Sequence, residues 1–148
     1  MGVSAEKQLH PIVRMYFIDD DSIFLQKENF CEPRNIDFWD ASADTHVYYG
    51  ESMEDALRRS VGCMCYNEDI SPAFLLKYVY KTEQEEHLVF LYYVKHASQI
   101  EMAKQTDFFG KFWPLWQIEA NLGQGVFSPQ FEMEYEYFKN TVFVGKHK

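Results

Sequence analysis

Two cysteines and a histidine are the residues whose types first suggest chemistry, because thiolates and imidazoles bind zinc and act as nucleophiles. Cys63 and Cys65 lie two positions apart in a segment with helical spacing, and His46 lies upstream. Residues two apart on a helix point about 200° away from each other, so one ion does not easily reach both thiols. A cysteine inside a helix also lacks the N-terminal dipole that lowers a thiol pKa. We therefore expect structural thiols and no zinc site or catalytic cysteine.

Tryptophans are the second group with binding potential. Trp39, Trp113 and Trp116 have the ring area to stack on a nucleobase, although aromatic residues more often build the core. Both interpretations stay open from the sequence alone. The glycines of the segment GQG, residues 123–125, do not indicate a phosphate-binding loop, because the segment lacks the length and the Lys-Ser/Thr pair of such loops.

A helix pattern begins after Gly50 and carries both cysteines. Ser52 is predicted to cap this helix, with Asp55 as a weaker capping partner three residues later. Apolar residues then recur at helical spacing, which predicts a helix that ends near Tyr66. The predicted apolar stripe consists of Met53, Ala56, Leu57, Val61, Met64 and Cys65.

Strand patterns dominate the rest of the chain, and helices close it. A short helix is predicted at 115–122, and Ser128 is predicted to cap a last helix with Pro129 at its first position. Phe131, Tyr135 and Phe138 share one face of that helix, and we expect Glu132, Glu134 and Glu136 to lie mostly elsewhere. Strands are predicted at 12–18, 22–27, 38–49, 73–82, 87–96 and 108–114. This order predicts one mixed α+β domain over residues 1–148, with about ten residues as an N-terminal lead.

Composition indicates a globular chain. Of 148 residues, 47% are hydrophobic and 18% aromatic, which excludes an intrinsically disordered chain. The net charge of −9 disfavours a nucleic-acid backbone as partner. No apolar run has the length of a membrane span, and no signal peptide is visible. The three cysteines show no disulfide framework, so we expect a reducing, cytoplasmic location.

The run FWDASADTHVYYGESMEDALRRSV, residues 38–61, resembles the Nudix hydrolase family. The matching residues are Trp39-Asp40, Ser42, His46-Val47 and Gly50-Glu51-Ser52. Residues 110–138 are similar to the closing part of Nudix domains, where Phe-Trp leads into a short helix and then a final helix. The resemblance covers nearly the whole chain from about residue 10. It implies a Nudix-type α/β/α sandwich with a mixed β-sheet between helices.

The Nudix box, G-x5-E-x7-R-E-U-x-E-E-x-G-U with U a bulky apolar residue, aligns when Arg59 is set on its arginine. Glu51 and Val61 then match as well, and the resemblance implies that Glu51 and Arg59 shape the loop and helix. In the family, three helix glutamates hold magnesium or manganese against a diphosphate. These positions are occupied here by Ser60, Cys63 and Met64. Hard divalent ions prefer charged oxygen ligands, so the usual pyrophosphohydrolase activity is expected to be lost or weak.

A second function stays open, namely an active hydrolase that cleaves a nucleoside diphosphate linked to another group. It would need Mg or Mn held by relocated acids, for which the candidates are Glu51, Glu54, Asp55, Glu68 and, less directly, Asp107. For Asp55, an ion pair with Arg59 four residues later is the simpler prediction. Glu83, Glu85 and Glu86 are interpreted as a solvated charge run. The Trp-Asp…His-Val run also resembles isopentenyl-diphosphate isomerases, and the missing glutamates count equally against that activity.

The resemblance also implies a ligand cleft beside the loop that precedes the helix. Trp39, His46, Gly50 and Glu51 are the predicted cleft residues, with His46 either packed structurally or in contact with ligand. A nucleotide-like or other small phosphorylated molecule, a protein partner, or a second copy of the chain are the expected partners. No nucleic acid and no membrane are expected.

Overall fold

The computed structural model describes residues 9–28, 38–65, 70–97, 100–102 and 108–143. Within these ranges, six strands form one sheet and three helices flank it. The strands are β1 (His10–Ile18), β2 (Ser22–Glu28), β3 (Ala43–His46), β4 (Ala73–Lys81), β5 (Glu86–Val94) and β6 (Phe108–Pro114). The helices are α1 (Met53–Met64), α2 (Leu115–Asn121) and α3 (Pro129–Lys139).

Strand β1 organises the sheet, whose order is β4-β5-β1-β2-β6 with β3 also paired to β1. β2 and β3 share one edge of β1: the end of β1 pairs with β2, and residues 12–15 pair with β3. β1 and β5 run parallel, whereas the other named pairs are antiparallel. The predicted hairpin is confirmed, since Phe17 pairs with Phe24 and Ile18 with Ile23. The sheet is therefore mixed, as expected.

The two faces of the sheet carry separate cores because side chains alternate along each strand. Val13, Met15 and Phe17 of β1 pack with the apolar stripe of α1. Tyr16 and Ile18 point to the other face, where α2 and α3 contribute most of the core. The side chains from those two helices are Leu115, Ile118, Phe131, Tyr135 and Phe138. The α/β/α sandwich is thus confirmed.

Two hydroxyl caps set the helix starts as predicted. Ser52 Oγ accepts a hydrogen bond from the Asp55 amide at 3.0 Å, and Ser128 Oγ accepts one from the Phe131 amide at 3.0 Å. α1 ends at Met64, earlier than predicted, because Cys65 adopts an extended backbone and bridges to Met102. None of the helices in the described ranges is long and apolar enough to cross a membrane.

The strand predicted at 38–49 is largely wrong. Only residues 43–46 form a strand, while Trp39 and Asp40 make isolated bridges to Phe127 and Gln26. The backbone leaves the sheet after His46, since Gly50 at φ +81° turns the chain toward α1. Glycine adopts that left-handed conformation without steric cost. A loop therefore lies between β3 and α1, at the position where the resemblance expects the cleft wall.

Candidate functional site

Arg59 fastens the loop before α1 to the helix. Its guanidinium donates to both carboxylate oxygens of Glu51, with Nε–Oε2 at 2.9 Å and Nη2–Oε1 at 2.8 Å. It also donates to Thr45 Oγ1 at 2.9 Å and to the His46 carbonyl at 2.8 Å. Such a two-pronged pair fixes geometry as well as charge. The loop and the helix therefore behave as one unit around this side chain.

The same contact sets the ionisation of Glu51. Hydrogen bonds from Arg59 and from the Tyr48 amide lower the pKa of the Glu51 carboxyl below its ordinary value. The expected ion pair between Asp55 and Arg59 is wrong. Asp55 bonds Arg58 at 3.1 Å, because Arg59 faces the loop while Arg58 points to solvent beside Asp55.

The three residues that the resemblance aligns with the box glutamates have different surroundings. Cys63 is exposed, whereas Ser60 and Met64 are each only 3% exposed. Gln26 Nε2 donates to Met64 Sδ at 3.2 Å and to the Ser42 carbonyl at 2.9 Å. Ser60 Oγ is buried and finds no hydrogen-bond partner among the described residues. Ser60 and Met64 are therefore closed to solvent while Cys63 faces outward, and none of the three side chains is a carboxylate.

A divalent metal of the family type does not fit these residues. Magnesium and manganese take charged oxygen ligands, whereas this helix face offers a hydroxyl, a thiol and a thioether. Across the described ranges, no three His, Cys, Asp or Glu side chains are arranged to hold an ion.

The predicted relocated acids also have other partners. Glu51 is paired with Arg59, and Glu54 and Asp55 lie beside Arg58 with exposed side chains. Of the remaining candidates, Glu68 and Asp107 lie outside the described residues.

A buried ionic cluster lies on the opposite face of the sheet, around Arg14. This side chain is fully buried and donates through Nε to both oxygens of Glu134 at 3.0 Å. It also contacts Asp40 at 2.6 Å and Asp44 at 2.7 Å. Tyr16 donates to Glu134 at 2.6 Å. One cation is thus shared by three carboxylates, which leaves this cluster without positive charge to offer a ligand.

The cluster overturns one expectation for α3, since Glu134 is 2% exposed and does not face solvent. Burial raises the pKa of the Glu134 carboxyl, while Arg14, Tyr16 and Tyr78 oppose that shift. A signal was present in the sequence: Glu134 lies three residues after Phe131 and four before Phe138, on the buried face. Nothing in the sequence names Arg14, 120 residues away, as its partner.

A polar cavity of about 230 Å³ opens where β3 and β4 end and β5 begins. Its lining residues are Ile12, Asp44, His46, Tyr80, Thr82, Glu85, His87 and Gln130. Of the predicted cleft residues, only His46 lines it, with its ring 6.0 Å from that of His87. Trp39 packs edge-on against the buried Trp113 at 5.3 Å instead. Gly50 and Glu51 lie in the loop before α1. Trp116 is exposed.

Solved structures of known proteins share this architecture. A Nudix hydrolase from Nitrosomonas europaea matches with a TM-score of 0.66 at 16% identity, covering 90% of this chain and 90% of its own. The chain has the Nudix fold. A MutT protein from Methanosarcina mazei Go1 matches with a TM-score of 0.66 at 14% identity, covering 91% and 96%. A MutT Nudix hydrolase from Burkholderia pseudomallei gives 0.63 at 13%, covering 88% and 98%.

Sequence comparisons add nothing to this assignment, since no family profile and no curated protein matches the chain. Identities of this size show the fold alone. The chemistry of this Nudix-fold chain must therefore be argued from its own side chains.

Proposed function

We propose that this chain is a Nudix-fold binding protein that lacks the standard metal-dependent pyrophosphohydrolase activity. One observation carries the proposal: the helix face where the family places its glutamates holds Ser60 and Met64, buried against the sheet, beside the exposed Cys63. A carboxylate-free face neither holds a hard cation nor activates a water molecule. The pair of Glu51 and Arg59 supports a structural role for these two residues of the motif. The Arg59 guanidinium already donates hydrogen bonds to both carboxylate oxygens of Glu51.

The alternative is an active hydrolase that uses acids outside the box. Glu54 and Asp55 are the described acids with the most solvent access for this role, with side chains 83% and 59% exposed. An exposed pair near the start of α1 is the arrangement that a water-filled metal site would need. Arg58 lies beside both carboxylates, which opposes a second cation there.

A hydrolysis assay separates the two functions. The protein is incubated with nucleotide sugars and dinucleoside polyphosphates plus Mg²⁺ or Mn²⁺, and release of nucleotide or phosphate is followed. We expect no release that EDTA abolishes. EDTA-sensitive turnover that falls in Glu54→Gln or Asp55→Asn would establish the alternative. Glu83→Gln, in the turn between β4 and β5, is the matched control because it removes an exposed acid far along the chain from α1.

The further expectations from the sequence stay predictions. These are a cytoplasmic location, a nucleotide-like or other phosphorylated ligand, a protein partner, and a homodimer. Exposed aromatic side chains, among them Tyr49 and Trp116, support an interaction surface. Size-exclusion chromatography with light scattering distinguishes a dimer from a monomer.

A further inference from the structure

We draw no further inference here: the strongest candidate, the polar cavity where β3 and β4 end and β5 begins, carries nothing because Asp44 in its lining is already paired with Arg14 and the described residues add no observation beyond the carboxylates of Asp44 and Glu85 that points to a ligand.

Discussion

Arg59 and Met64 lie five residues apart on α1 but have different surroundings. Arg59 meets Glu51, Thr45 and the His46 carbonyl, so its charge is matched by the loop. Met64 meets the apolar face of the sheet and the amide of Gln26. The residue types along α1 therefore correspond to the partners that each side chain finds, and a methionine at position 64 suits an apolar contact.

A glutamate introduced in place of Met64 should destabilise the protein. Met64→Glu places a carboxylate in a site that is 3% exposed, and an uncompensated buried charge costs about 3–5 kcal/mol. Cys63→Glu is the matched control, because its exposed position keeps the new charge in water. Urea denaturation measures both free energies of unfolding. Equal losses in the two variants would show that the Met64 site is not closed to water.

Removing the Arg14 guanidinium should destabilise the fold more than removing an exposed arginine. Arg14→Met leaves Glu134 buried and without its cation, with an expected loss of about 3–5 kcal/mol in the free energy of unfolding. Arg58→Met, at a side chain that is 64% exposed, should cost less than about 1 kcal/mol. Guanidinium denaturation of both variants checks the difference. A similar small loss in both would mean that the cluster contributes little net stability.

The loop between β3 and α1 is held against the helix by one ion pair, between Glu51 and Arg59. β3 delivers Thr45 and His46 to Arg59, Gly50 turns the chain at φ +81°, and Ser52 caps the helix. The capping and turning residues are local features. The ion pair closes the loop over eight residues, so it couples the position of the loop to the position of the helix.

Acid should loosen this loop. The folded pKa of Glu51 is lowered below its ordinary value of 4.5, so the folded state holds the carboxylate more strongly than the unfolded state. The pair therefore adds stability above pH 4.5 and loses it as the pH falls through the folded pKa. The stability difference between wild type and Glu51→Gln should shrink as the pH falls below 4.5. A difference that stays constant from pH 7 to pH 3 would contradict this assignment.

The whole molecule has two cores on one sheet. β1 supplies Val13, Met15 and Phe17 to the α1 side, and Tyr16 and Ile18 to the side of α2 and α3. Because the same strand serves both cores, loss of one core removes the support of the other. This shared strand is the physical basis for the single domain expected over residues 1–148.

Unfolding should therefore be one cooperative transition. Fluorescence of the buried Trp113 reports on the α2 and α3 side, and labelling of the buried Cys65 thiol reports on the α1 side. In a Cys31→Ser/Cys63→Ser background, the two probes should give the same urea midpoint. Separate midpoints would show that the two layers unfold independently.

The sequence predicted the fold because its signals are local. Ser52 and Ser128 cap their helices within three residues, and Phe131, Tyr135 and Phe138 share one helix face by spacing alone. The strand predicted at 38–49 is largely wrong because its mixed pattern does not distinguish the short strand at 43–46 from flanking residues that form only isolated bridges or a loop. The candidate site was predictable only in part: His46 lies at the polar cavity, whereas the other predicted cleft residues, Trp39, Gly50 and Glu51, do not line it.

The sequence by itself determined the order of strands and helices, the helix starts, and the absence of carboxylates at positions 60, 63 and 64. These features depend on neighbours a few residues away. Only the tertiary structure decided that Arg14 and Glu134, 120 residues apart, share a buried ion pair, and that Glu85 and His87 form one end of a polar cavity. The energy of a charge depends on the partners and the water around it. Only the folded chain brings together partners that are distant in sequence.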